Sequence, residues 1–210
     1  MRPTAAPGDR EPDQPLRFAT IADWSMWLDV GHATSPGVWL QLAKKGSGIP
    51  SVSYDEALEV ALCYGWIDGQ KKPLDETWWL QRFTPRRRAS RWSQRNRRLA
   101  EALVAAGRMT PAGQAEIDRA QADGRWDAAY AGARTSTVPP DLAAALEQDP
   151  AAAAAFEELD GANRYAILYR LQDAKKAETR ARRLDQFVGM LREGRTLHAR
   201  PSGRRSARET

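Results

Sequence analysis

All eight tryptophans of this chain fall between Trp24 and Trp126, and none follows although the chain runs on to Thr210. A stretch so rich in large flat side chains must build its core around them, while the remainder has to pack on alanine, leucine and isolated aromatics. The sequence therefore reads as two parts. Residues 16–131 form a Trp-rich, basic domain, and residues 141–194 form a helical one. Between them, residues 132–140 carry Thr135-Ser136-Thr137 and Pro139-Pro140 and read as a linker. Residues 1–15 hold four prolines and little to bury, and residues 195–210 are Arg-, Ser- and Gly-rich, so a disordered leader and a disordered basic tail are expected.

Hydrophobic spacing assigns the elements. Phe18-Ala19-Thr20-Ile21 reads as a short strand, after which Asp23 can cap a helix with Trp24, Trp27 and Leu28 on one face. Val38-Trp39-Leu40-Gln41-Leu42-Ala43 is rich in strand formers. Ser53 or Tyr54 starts a helix with Ala57, Leu58, Ala61 and Leu62 buried, ended by Gly65. Trp66-Ile67-Asp68-Gly69 and Trp78–Phe83 then suggest an antiparallel hairpin across a connection at 71–77. Ser93 caps a helix running towards Gly107, and Thr110-Pro111 opens another. Four short helical signals follow, the last carrying Leu184, Phe187, Val188 and Leu191 as an amphipathic stripe. The fold class is α+β: a small antiparallel sheet with helices in the N-terminal region, followed by an all-helical C-terminal bundle.

The formal charge of +5 favours anionic partners, and it is concentrated. Between Lys71 and Arg98 there are ten Lys or Arg against two acids, Asp75 and Glu76. A single cysteine, Cys63, permits no internal disulfide, and the first residues lack the apolar core of a signal peptide, so the cytoplasm is the expected compartment. No apolar stretch approaches the length of a membrane span.

Little in the chain spells out a reaction. Cys63 lacks a neighbouring base, since the only histidines are His32 and His198, and it reads as core packing. No ligand spacing suggests a metal, and no cofactor is expected. Gly46-Ser47-Gly48 lacks the frame of a phosphate-wrapping loop. Asp68 enters a tight turn after an apolar strand, where a carboxylate either lines a pocket or satisfies turn amides. Lys44 and Lys45 leave the strand that carries Trp39, flanking an anion or simply meeting solvent. The segment 82–98, with Phe83 and Trp92 among its arginines, either pairs guanidinium forks with an anion or lays them over rings for stability.

Several strings together resemble a bacterial family. Val38-Trp39-Leu40 with Lys44-Lys45, Tyr54-Asp55-Glu56-Ala57, the run from Ala61 through Gly65-Trp66-Ile67-Asp68-Gly69, Arg82-Phe83-Thr84-Pro85-Arg86 with Ser90-Arg91-Trp92-Ser93, and the 174–183 stretch are similar to the YdeI/OmpD-associated proteins. That resemblance implies a role in protection against bacteriocins or cationic antimicrobial peptides and in stress resistance, with an outer-membrane porin partner for some members, and no established reaction. The expected function is thus a cytoplasmic accessory protein that binds an anionic small molecule or protein partner through Trp39, Lys44, Lys45, Trp66, Asp68, Arg82, Arg86, Ser90 and Trp92. Two alternatives stand beside it: an enzyme with a pocket centred on Asp68 as general base, and a nucleic-acid-binding protein using the basic 82–98 arm.

Overall fold

The computed structural model describes residues 14–199, and it is α+β, with eight helices and a three-stranded antiparallel sheet among those residues. Two compact units divide between Ala129 and Tyr130. The expected leader and tail fall mostly outside the described residues.

In the first unit, α1 spans Ile21–Gly31 and is capped by Thr20, not Asp23. Thr20 Oγ1 accepts from the Asp23 amide at 3.2 Å and donates to the Asp23 carboxylate at 2.7 Å. The extended backbone that made 18–21 read as a strand is the conformation a capping residue adopts (φ −132°, ψ 159°). Leu16, just before this segment, forms a parallel bridge to Leu40: its amide donates to the Trp39 carbonyl and its carbonyl accepts from the Gln41 amide, both at 2.8 Å. One edge of the sheet is thereby covered.

The sheet is ordered β1 (Val38–Ala43), β3 (Trp78–Pro85), β2 (Trp66–Pro73). Strand β2 runs further than the sequence suggested, shortening the connection to 74–77, where the Asp75 carboxylate accepts from the Thr77 and Trp78 amides, each at 2.8 Å. Helix α2 (Tyr54–Cys63) opens with a capping box between Ser53 and Glu56. Helices α3 (Gln94–Ala105) and α4 (Pro111–Ala122) start at the expected caps, Ser93 and Thr110.

Strand alternation sorts the sheet residues into two faces. Val38, Leu40 and Leu42 lie opposite Phe83, Gln81 and Trp79, and the apolar members of this set join the helices in one core with Trp24, Leu28, Leu58, Trp66 and Trp92. Buried indoles are satisfied in part by backbone: Trp24 Nε1 donates to Ala57 O at 3.0 Å, and Trp66 Nε1 to His32 O at 3.2 Å. Truncating either ring to alanine would cost about 3–5 kcal/mol. Gly113 lets α4 approach the end of α2, since a Cβ there would lie 2.3 Å from the Cys63 carbonyl oxygen.

The second unit contains α5 (Pro140–Glu147), α6 (Pro150–Glu157), α7 (Gly161–Gln172) and α8 (Ala177–Arg192). Leu142, Phe156, Ile167, Leu171, Phe187 and Leu191 form its core, with Leu184 and Val188 packed against it. Arg180 ties three helices together, donating to both carboxylate oxygens of Asp141 (2.6 and 2.8 Å) and to Leu171 O (2.7 Å). Past α8 the chain continues against this unit: Leu197 packs on the core, and the His198 amide and carbonyl bond the Asn163 side chain at 2.8 and 3.2 Å. Residues 195–198 are thus part of the fold, whereas the sequence reading began the tail at 195.

Candidate binding face of the sheet

The nine residues expected to form a site do not converge; the strands distribute them over different places. Trp39 and Arg82 are direct partners across β1 and β3 and share the sheet face turned away from the helices. Gln41, Leu80 and Trp78 continue that face, and Lys72, opposite Leu80, completes it from β2. The Lys72 ammonium lies 4.6 Å from the Trp39 ring centroid, and the Arg82 guanidinium lies 5.8 Å from it. At the other end the Arg17 guanidinium sits 4.6 Å over Trp78 while its Nε donates to Gln41 Oε1 at 2.8 Å. Each cation lies against an aromatic face that attracts it.

Lys72 reaches this face through a bulge. Pairing shifts register between Asp68 and Lys71, so β2 has one residue more than β3 there. Regular pairing onward from Asp68 would instead set Lys71 opposite Leu80. The buried Gln81 amide fills the irregularity, donating from Nε2 to the Gly69 and Gln70 carbonyls at 3.0 and 3.2 Å.

Electrostatically this face differs from the helical side. There, Arg95 pairs with Asp55, Arg97 with Glu101, Arg108 with Glu59 and Arg119 with Glu116. Arg17, Lys72 and Arg82 have no carboxylate partner among the described residues, and Arg82 Nη1 is buried without a hydrogen-bond acceptor. An uncompensated guanidinium N–H withdrawn from water is costly. Gly37 makes room for it: with φ +133°, it brings the chain so close that a Cβ would lie 2.9 Å from Arg82 Nη2.

The remaining expected residues serve elsewhere. Trp66 is 1% exposed in the core, in edge contact with Trp27, and lines no pocket with Trp39. Asp68 faces the helices, accepting from Tyr54 Oη at 2.8 Å and from Asn96 Nδ2 at 3.5 Å. Burial, and then the Asp68 charge, push the Tyr54 phenol up to about 12. Arg95, 41 positions from Tyr54, reaches the same hydroxyl at 3.2 Å, giving a Tyr54–Asp68–Asn96–Arg95 cluster of residues too far apart in sequence to be grouped from it.

The 82–98 segment is not one basic surface. Arg86 is 5% exposed, with its guanidinium 3.5 Å above the Trp92 ring and Nη1 donating to Arg91 O. Trp92 in turn meets Trp126 edge-on at 4.8 Å. Ser90 Oγ accepts from the Arg87 amide, and the Ser90 carbonyl accepts from Arg125 Nη1 at 2.7 Å, which makes it a turn residue. Lys44 and Lys45 are exposed at the end of β1. His32 Nδ1 lies 2.8 Å from Leu28 O, and Cys63 is buried. No group of three potential metal ligands occurs among the described residues.

In the second unit, α7 and α8 border a groove of about 900 Å³ that includes Tyr165, Tyr169, Arg170, Arg183, Gln186 and His198. Arg183 is engaged there with the Arg170 carbonyl and, at 3.6 Å, with the Asp173 carboxylate. Residues 135–194, which include these helices, match the family described as Bacteriocin-protection, YdeI or OmpD-Associated. The helical unit is thus similar to the YdeI/OmpD-associated family over those residues. Residues 16–116 match a different description, a domain of unknown function (DUF8412), so the strings around Trp39, Gly65–Gly69 and Arg91–Ser93 lie outside the segment matched by the YdeI/OmpD-associated description. Neither a curated protein nor a solved structure matches the chain. No described helix is long and apolar enough to cross a membrane, which bears on spanning helices alone.

Proposed function

We propose that this is a cytoplasmic accessory protein of bacteriocin or antimicrobial-peptide resistance that works by binding an anionic partner on the outer face of its sheet. The observation that carries the reading is that three cations set against aromatic rings on this face, Arg17, Lys72 and Arg82, have no carboxylate partner among the described residues. The link to resistance comes from the description of the family matched by the helical unit. A basic face repels cationic peptides, so protection on this reading proceeds through an anionic cell component and not through capture of the peptide.

Two comparisons test it. Retention on immobilised heparin, eluted with salt, is expected to fall sharply for a Arg17→Glu, Lys72→Glu double variant. It is expected to change much less for Arg87→Glu, Arg88→Glu, which reverses the same charge on the exposed arm. The opposite ranking contradicts the assignment of the face. Bacteria expressing the chain are then challenged with a bacteriocin; equal survival with the sheet variant separates the resistance role from the binding role.

A further inference from the structure

Resting on that anion-binding reading, we infer that the anionic partner is a single-stranded nucleic acid, held by base stacking on the Arg17–Trp78 pair and by phosphate contacts at Lys72 and Arg82. An acidic protein surface would be met by charge alone, at any set of lysines. This face offers something further. The Arg17 guanidinium is planar, lies over the Trp78 indole at 4.6 Å, is fixed through Nε by Gln41, and belongs to an exposed residue. Arg17 thus holds an exposed guanidinium over an indole, and guanidinium planes are surfaces on which unpaired bases stack.

The spacing suits an extended strand. Trp78, Leu80 and Arg82 alternate along one face of β3, so the stacking end and the Arg82 end are roughly 14 Å apart at about 3.4 Å per residue, with the Lys72 ammonium over Trp39, the partner of Arg82. A chain that carries a flat base at one end and phosphates along its length meets the aromatic–guanidinium pair at one end and the Lys72 and Arg82 cations at the other. Duplex nucleic acid hides its base faces and could use only the charges. The face requires no base-edge readout, so weak sequence preference follows. The surface shares only Arg82 with the 82–98 segment, whose Arg86 is committed to Trp92.

The test uses the full chain and three probes: a short poly-uridine strand, inorganic polyphosphate and poly-glutamate. Poly-uridine is expected to bind tightest, to quench tryptophan emission, and to weaken steeply with salt. Arg17→Lys keeps the charge and removes the plane; because Arg17 is exposed, the variant retains the fold. It should weaken poly-uridine about tenfold while leaving polyphosphate affinity within about twofold. Polyphosphate or poly-glutamate binding as tightly as poly-uridine, or an Arg17→Lys variant unchanged towards all three, overturns the nucleic-acid inference and leaves the anion-binding function standing. Absence of binding to every probe overturns both.

Discussion

Lys72 holds its ammonium 4.6 Å from the centre of the Trp39 ring, while its neighbour Lys71 pairs opposite Gln81 on the other side of the same strand. Two adjacent lysines are thus given different surroundings by one extra residue in β2. A register shift of one exchanges the faces of every residue that follows.

The Gln81 side chain fixes that register through its bonds to the Gly69 and Gln70 carbonyls. Gln81→Leu keeps the volume and leaves those carbonyls without their donor. Stability is expected to fall by about 1–3 kcal/mol in urea denaturation. Heparin retention should fall as well, although no charge is altered; unchanged retention would show that the bulge does not govern the position of Lys72.

Two glycines with different surroundings give a contrast. A Cβ on Gly113 would meet the Cys63 carbonyl oxygen at 2.3 Å and Met109 Sδ at 2.4 Å, whereas one on Gly107 (φ +66°) meets nothing within 4 Å. Gly113→Ala should destabilise by about 3 kcal/mol through forced separation of α2 and α4. Gly107→Ala should cost only about 1 kcal/mol for its backbone conformation. Chemical denaturation of the two variants checks the order.

Tyr54 is expected to ionise near 12, above the ordinary tyrosine value of 10.0, because burial and the Asp68 carboxylate both oppose the phenolate. Since its pKa is raised on folding, the associated stability is fully present below the unfolded value of about 10 and is lost as pH rises through about 12. Ultraviolet difference titration of wild type and Asp68→Asn should show the transition near 12 moving down in the variant.

In the second unit the Arg180 fork holds the Asp141 carboxyl below its usual range, chiefly by hydrogen bonding. A depressed carboxylate stabilises above the unfolded value of about 4 and loses that contribution as pH falls through its lower folded pKa. The pair is about one-third exposed, so the expected loss for Arg180→Lys is only about 1 kcal/mol. It should vanish in acid, as thermal melts at neutral and low pH would show.

Local chemistry was legible where one residue decides it. Ser53, Ser93 and Thr110 were readable as caps, and Val38–Ala43 as a strand. Thr20 was misread because a capping residue and a strand residue share extended dihedrals. The site was less legible. For Arg86 the sequence left open an anion or an aromatic ring, and the pair Trp92–Trp126, brought together from 34 positions apart, provides the buried ring that decides it. Lys72 and Arg17 were passed over because neither the bulge nor the bridge at Leu16 has a local signature: both depend on pairing between distant strands. Grouping Trp66 with Trp39 followed from their shared residue type, whereas sheet geometry separates them.

Indole resonances report the central claim directly, because each tryptophan side chain gives its own nitrogen–proton signal. In a titration of the full chain with heparin, the Trp39 and Trp78 signals should shift progressively, and those of Trp24, Trp66 and Trp92 should stay in place. Shifts centred on Trp92 and Trp126, with Trp39 and Trp78 unmoved, would contradict binding on the outer face of the sheet.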